Sequence, residues 1–215
     1  MRTILATWAG VFCLTTGTAT AADNGMFFDV SAGQSSVKNL EKSDLDSDVS
    51  AVGTLNSSKI DDMGVYWAAT VGYRFMPYLA ADFGWTSLGS QTYKANFITS
   101  SGVENRYKVA LESRGLTTGI TGILPLGKRI ELRGRAGLFF ANTAINRENK
   151  NSFQTTVDYT EEDSIEFFAS IAAAYKFTPT FSAYLSVHHF NKVGAGDITG
   201  ESDVTGASLG VTFRQ

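Results

Sequence analysis

The chain has two histidines, His188 and His189, and both stand near side chains that could use an imidazole. Ser186 precedes them, and Glu201 and Asp203 follow. A hydroxyl, an imidazole and a carboxylate make a nucleophilic hydrolase when the imidazole takes the hydroxyl proton and the acid orients it. In an extended segment Ser186 and His188 share one face and His189 takes the other. A second candidate is Asp44-Leu45-Asp46-Ser47-Asp48, whose alternate carboxylates resemble the start of a calcium loop. An EF-hand needs Gly at its sixth position and Glu at its twelfth, where this chain has Val49 and Leu55. The stretch therefore reads as a solvated acidic loop, and no metal or cofactor site is expected. The third candidate is the largest: Asp29, Arg74, Asp82, Glu131, Arg133, Arg135, Glu166 and Lys176, joined by Arg214, recur at alternate positions of otherwise apolar segments. Such a row can line a selective channel or pair internally into a network that fills a narrow interior.

The segments that carry these charges have a period of two. From Met63 to Phe75 the odd positions read Met63, Val65, Trp67, Ala69, Val71, Tyr73 and Phe75, against Gly64, Tyr66, Ala68, Thr70, Gly72 and Arg74. That is a strand with one apolar and one mixed face. Its apolar row runs about 20 Å or more at roughly 3.3 Å per residue, which suits a hydrocarbon slab that a tilted strand crosses in about 9–11 residues. The same device returns from Met26, Leu79, Leu116, Ile130, Ile165, Phe181 and Ala207, giving eight strands. Val109 and Leu111 are out of phase with Leu116, which predicts a bulge or loop near Arg114-Gly115.

Between these strands the connections alternate in length. Polar loops are expected at about 35–61, 96–106, 144–162 and 191–203, while Pro77, Pro125 and Pro179, the chain's three prolines, fall in the short connections. Proline cannot donate to a ladder and so marks strand ends. Long outer loops and short inner turns are the asymmetry of an outer-membrane barrel. Aromatics gather accordingly, with Tyr73, Phe75, Tyr78, Tyr175, Phe177, Phe181 and Phe213 near the turns and Trp67, Trp85, Phe140 and Phe167 toward the loops. Register follows from cost: a one-residue slip of 130–140 would turn Arg133 and Arg135 into lipid at about 2–4 kcal/mol each near the midplane, so the charged row faces inward.

The N-terminus places Arg2 before an apolar run from Ile4 to Leu14 and the small-residue stretch ending Ala19-Thr20-Ala21. This is the pattern of an export signal over residues 1–21, leaving 22–215 as the barrel. The single cysteine, Cys13, lies inside that signal, so disulfides have no part in the mature chain. The net charge of −3 lacks the basic excess of a nucleic-acid-binding protein.

Gly119-Ile120-Thr121-Gly122-Ile123-Leu124-Pro125-Leu126, with Arg135-Ala136-Gly137-Leu138 after the turn, resembles the central hairpin of OmpA-like outer-membrane β-barrel domains. Gly72-Tyr73-Arg74-Phe75 and the closing Ser208-Leu209-Gly210-Val211-Thr212-Phe213-Arg214 resemble the same family. The resemblance implies an all-β, eight-stranded antiparallel up-and-down barrel in the outer membrane of a Gram-negative bacterium. It implies lipid and lipopolysaccharide as surroundings and tasks such as adhesion, surface protection or membrane integrity. No peptidoglycan-binding domain follows the last strand, so wall anchoring is not expected, and the chain ends on Gln215 where such barrels usually end on an aromatic.

Two alternatives belong beside the surface role: a narrow solute channel and a lipid-A-modifying hydrolase. One barrel family, the lipid A 3-O-deacylases, uses a His-x-Ser pair on its lipid-facing side. The corresponding order here is His189-Phe190-Asn191, and an amide is not an oxygen nucleophile. The resulting expectation is a non-enzymatic monomer with a lumen plugged by its charges, meeting host or surface macromolecules through four outer loops.

Overall fold

The computed structural model describes residues 24–37, 46, 49–50, 53–99, 102–151, 153–193 and 202–215. Its strands are β1 (Gly25–Val37), β2 (Gly53–Asp61), β3 (Met63–Met76), β4 (Leu79–Thr99), β5 (Glu104–Leu126), β6 (Ile130–Asn151), β7 (Thr155–Lys176), β8 (Phe181–Val193) and β9 (Ser202–Arg214). Every pairing is antiparallel, and β1 pairs with both β3 and β9, which closes the ring β1-β3-β4-β5-β6-β7-β8-β9. Closure leaves no ladder edge within the lipid, where an unpaired backbone group would have no partner. The export signal falls outside the described residues.

The alternation seen in the sequence is a physical division between lipid and lumen. Val65, Ile120, Ile171, Leu185 and Leu209 are all more than half exposed on the bare protein. Apolar surface continuous around a whole barrel far exceeds what a water-soluble monomer presents, so these side chains face acyl chains. On β6 the lipid-facing row runs from Ile130 to Phe140 and then turns polar at Asn142. At the end of the band that bears the short turns, the rings of Tyr175 and Phe177 (5.1 Å), Phe177 and Phe181 (5.6 Å), and Phe181 and Phe213 (5.1 Å) form an unbroken row across β7, β8 and β9.

The upper part of the molecule differs from expectation. The segment 35–61 was expected to be a loop, yet β2 lies within it and pairs with the upper half of β4, with Lys59 opposite Lys94 and Asp61 opposite Thr92. The loops expected at 96–106 and 144–162 are largely strand, because β4, β5, β6 and β7 run on well past the band. Together β2 and the upper parts of β4 to β7 form a wall standing outside the membrane on one side of the barrel. Its inner face is apolar, with Tyr93, Ala95 and Phe97 buried against Val49 and packed by Leu55, Ile60, Tyr107 and Val109.

The bulge is also displaced from its expected place. β5 keeps one phase throughout, and the extra residue lies on β4, between Ser87 opposite Arg114 and Ser90 opposite Glu112. Gly89 sits there with φ +79°, a left-handed conformation that costs other residues more than glycine. Val109 and Leu111 break the lipid-facing phase because they lie above the lipid and face inward, Leu111 packing on Ile145.

Candidate functional site

The barrel's interior is filled in two layers. In the layer nearer the short turns, Glu131 is wholly buried and four cations from four strands converge on it. Arg74 Nη1 lies 3.2 Å from Oε1, Lys176 Nζ 2.5 Å from Oε1, Arg133 Nη2 3.4 Å from Oε2 and Arg214 Nη2 2.6 Å from Oε2. Four strands bring charges to one point because each contributes an inward position at the same height: Glu131 faces Ala174 across the β6–β7 ladder, two residues before Lys176. Arg133 also donates to Thr212 Oγ1 at 2.9 Å and Ser182 Oγ at 3.4 Å, and Arg74 donates to the Pro77 carbonyl at the turn.

A second pair stands above the first. Arg135 Nε donates to Asp82 Oδ1 at 2.8 Å, its Nη2 pairs with the same carboxylate, and Thr121 Oγ1 donates to Asp82 Oδ2 at 2.9 Å. The Arg135 guanidinium lies 4.6 Å from the centroid of the Phe168 ring, close enough for a cation–π contact. It therefore joins the ionic layer to an aromatic one.

That upper layer is an apolar plug. Phe139 is wholly buried, its ring 5.2 Å from Phe190 in an edge-on contact, and Phe190 stacks on Phe168 at 5.5 Å. Tyr66, Leu88, Val37, Val193 and Val204 complete the cluster. Between the layers a cavity of about 70 Å³ remains, bordered by Asp29, Tyr184, Arg133 and His188 among others. It has room for only a few waters.

Residues 21–215 match the family described as OmpA-like transmembrane domain. The chain belongs to that family. It is an outer-membrane β-barrel, and the resemblance carried by its central hairpin holds for the fold and for the membrane. No curated protein matches the chain. Among solved structures it is similar to Ail, the attachment invasion locus protein of Yersinia pestis, in complex with the heparin analogue sucrose octasulfate, at 14% identity, 90% of this chain, 100% of that one and a TM-score of 0.49. It is similar to OprG of Pseudomonas aeruginosa at 10% identity, 91% and 98% coverage and a TM-score of 0.48. It is also similar to Neisserial surface protein A at 12% identity, 90% and 98% coverage and a TM-score of 0.46.

In this OmpA-like barrel the eight charges singled out from the sequence all face the lumen, but they do not form one network. Arg74, Glu131, Arg133 and Lys176 meet, with Arg214, around the single Glu131 carboxylate. Asp82 and Arg135 form the second pair. Asp29 borders the cavity, and its Oδ1 has no hydrogen-bond partner among the described residues. Glu166 stands opposite Phe139, at the height of the aromatic plug and away from Glu131.

The histidine candidates separate as the parity of the strand requires. Ser186 and His188 are buried in the lumen; His188 Nε2 is 3.0 Å from Ser186 Oγ and 2.8 Å from Ser208 Oγ, and the imidazole stacks on Tyr66 at 4.6 Å. The hydrogen-bond partners of His188 are thus hydroxyls. His189 faces outward, with Nε2 4.0 Å from Asp203 and Nδ1 3.3 Å from Thr205 Oγ1. Most of the acidic stretch 44–48 falls outside the described residues; Asp46 accepts a hydrogen bond from Tyr93 at 2.7 Å. Burial, and then this carboxylate, push the Tyr93 phenol pKa up.

The aromatic plug is the part of the site that strand reading missed. No charge or motif in the sequence singles out Phe139, Phe168 or Phe190. The signal was available, because Phe139 and Phe168 occupy the inward parity of strands whose outward parity was already apolar. Two adjacent Phe residues, as in Phe139-Phe140 and Phe167-Phe168, place one ring on each face.

Proposed function

We propose that this chain is an exported, non-enzymatic surface-interaction protein, monomeric in the outer membrane, its export signal in residues 1–21. Its lumen charges act structurally, and its outer wall and loops meet host or surface macromolecules. Lipid and lipopolysaccharide surround it. The observation that carries this reading is the filling of the lumen, an ion cluster at one level and stacked phenylalanines at another, with a cavity of about 70 Å³ between them. An eight-stranded barrel is just wide enough for side chains, so what faces the medium is the wall.

A hydrolase would need a carboxylate on its histidine and a path for substrate. His188 is hydrogen-bonded to hydroxyls inside the barrel; His189 has Asp203 at 4.0 Å, but Asn191 stands where a deacylase-like site would need its nucleophile. A channel would need the plug to move. The test is replacement of the β6–β7 hairpin from Asn146 to Tyr159 by a short turn, scored for binding to host cells. Loss of binding, with the folded band kept on a heat-dependent gel shift, supports the reading. Unchanged binding, or acyl release from lipopolysaccharide that is lost on His189→Ala, contradicts it.

A further inference from the structure

The outward face of the wall arranges charge against the usual preference of a sheet. Lys59 on β2 lies opposite Lys94 on β4, and Lys94 lies opposite Lys108 on β5. On the next rung Arg106 lies opposite Lys150 on β6. Directly opposed residues of one face hold their Cβ atoms about 4.5–5.5 Å apart, and like charges so placed repel. Glu148 stands opposite Lys108, with Asp61 and Glu104 on flanking rungs. Even so, among the described residues none of the five cations forms a salt bridge. A shallow groove of about 390 Å³ runs between them, lined by Lys94, Asn96, Arg106, Lys108, Glu148 and Lys150.

The height of this ladder says what it meets. It lies on the same outward face as Trp85, Leu116 and Phe140, continued upward. Lys108 is three rungs beyond Arg114, where the apolar band has ended. At about 3.4 Å per residue, on a strand tilted by about 40°, that is roughly 15 Å above the acyl chains. A soluble macromolecule approaching from the medium meets the Thr99 and Asn151 ends of the hairpins first. The lateral face is flanked by the saccharide that the outer leaflet raises around the barrel.

We propose that Lys94, Arg106, Lys108 and Lys150, with Lys59 beside them, hold phosphate groups on the core saccharide of neighbouring lipopolysaccharide. Each phosphate offers several acceptor oxygens and so can be shared between cations of two strands, which turns the repulsion along the ladder into attraction when the ligand is present. The proposal rests on the reading of the chain as a surface barrel surrounded by lipopolysaccharide, and it assigns that contact to one face of the wall.

The test uses the full mature chain in phosphatidylcholine nanodiscs, titrated with lipopolysaccharide bearing a phosphorylated core, with the same material after removal of its core phosphates, and with inositol hexaphosphate. Binding of the native lipopolysaccharide should weaken at least tenfold in the variant Lys94→Gln/Arg106→Gln/Lys108→Gln/Lys150→Gln and fall with added salt; the dephosphorylated form should bind the unaltered chain as weakly. Equal binding by variant and unaltered chain, equal binding of the two lipopolysaccharides, or tighter binding of inositol hexaphosphate than of native lipopolysaccharide would each overturn the assignment. The milder variant Lys94→Gln/Lys108→Gln guards against misfolding. With repulsion removed and no ligand present its urea midpoint should rise, and a fall would count against the ladder. Host-cell binding through the hairpins is read separately, so loss of the ladder assignment and loss of the surface reading remain distinct results.

Discussion

Arg214, on the last strand, reaches across the lumen to Glu131, its Nη2 2.6 Å from Oε2. The contact fastens β9 to β6 on the far side of the ring, and Glu131 holds Arg74, Arg133 and Lys176 as well. The arrangement is asymmetric, one acid serving four bases. Glu131→Ala leaves buried cations facing each other and should lower stability by about 3–5 kcal/mol. Arg214→Ala leaves the acid three partners and should cost about 1.5 kcal/mol. Urea unfolding in lipid vesicles, followed by the fluorescence of Trp67 and Trp85, measures both; equal losses would mean that Glu131 is not the hub.

The aromatic plug makes a separate prediction. Phe139 is wholly buried, its ring edge-on to Phe190, which in turn stacks on Phe168. Phe139→Ala should cost about 3–5 kcal/mol in the same unfolding assay. The barrel should nevertheless stay electrically closed, because the ion cluster beneath does not depend on that ring. A large conductance from this single variant would show that the aromatic layer alone closes the lumen.

Placement in lipid can be tested at Ile120, which lies outward in the middle of the band. Ile120→Arg should destabilise the folded barrel by about 2–4 kcal/mol, whereas Ile120→Val should change little. The folded fraction on a gel without boiling reports the difference. Indifference to arginine at this position would place Ile120 outside the hydrocarbon.

Gly89 carries the bulge that starts the outer wall. A side chain there must adopt φ +79°, and its Cβ would lie 2.4 Å from the Val65 backbone nitrogen. Gly89→Val should cost about 1–3 kcal/mol and loosen β2 and upper β4 while leaving the lipid band folded. Limited proteolysis should then cut within 53–99 in the variant and not in the unaltered chain; equal resistance would show that the bulge tolerates a side chain.

The strands inside the membrane were legible because lipid enforces the rule by which they were read. Ile130 to Phe140 alternates with Glu131, Arg133 and Arg135 since acyl chains admit only one parity, and the prolines fixed the ends. Above the lipid that pressure vanishes. The extra residue at the bulge turns the odd positions of β4 from the lipid face (Phe83, Trp85) to the inner face (Tyr93, Ala95, Phe97), with Lys94 and Asn96 outward, a change of side that the unbroken odd phase of the apolar residues does not show. β2 was lost for the same reason: its Ser57, Ser58 and Lys59 form a strand against β4 without any lipid-facing row. The lumen charges could be placed inward from cost alone, but their division into a Glu131 hub and an Asp82–Arg135 pair depends on which strands are neighbours at each height, which no single strand records.

A barrel filled by its own side chains is proposed to work through its outer surface and not through its lumen. The most direct measurement is the conductance of the purified, refolded protein in planar lipid bilayers. A quiet membrane, or only brief and small fluctuations, is the predicted result. Stable steps of large conductance, reproduced across preparations and altered by Glu131→Ala, would contradict it.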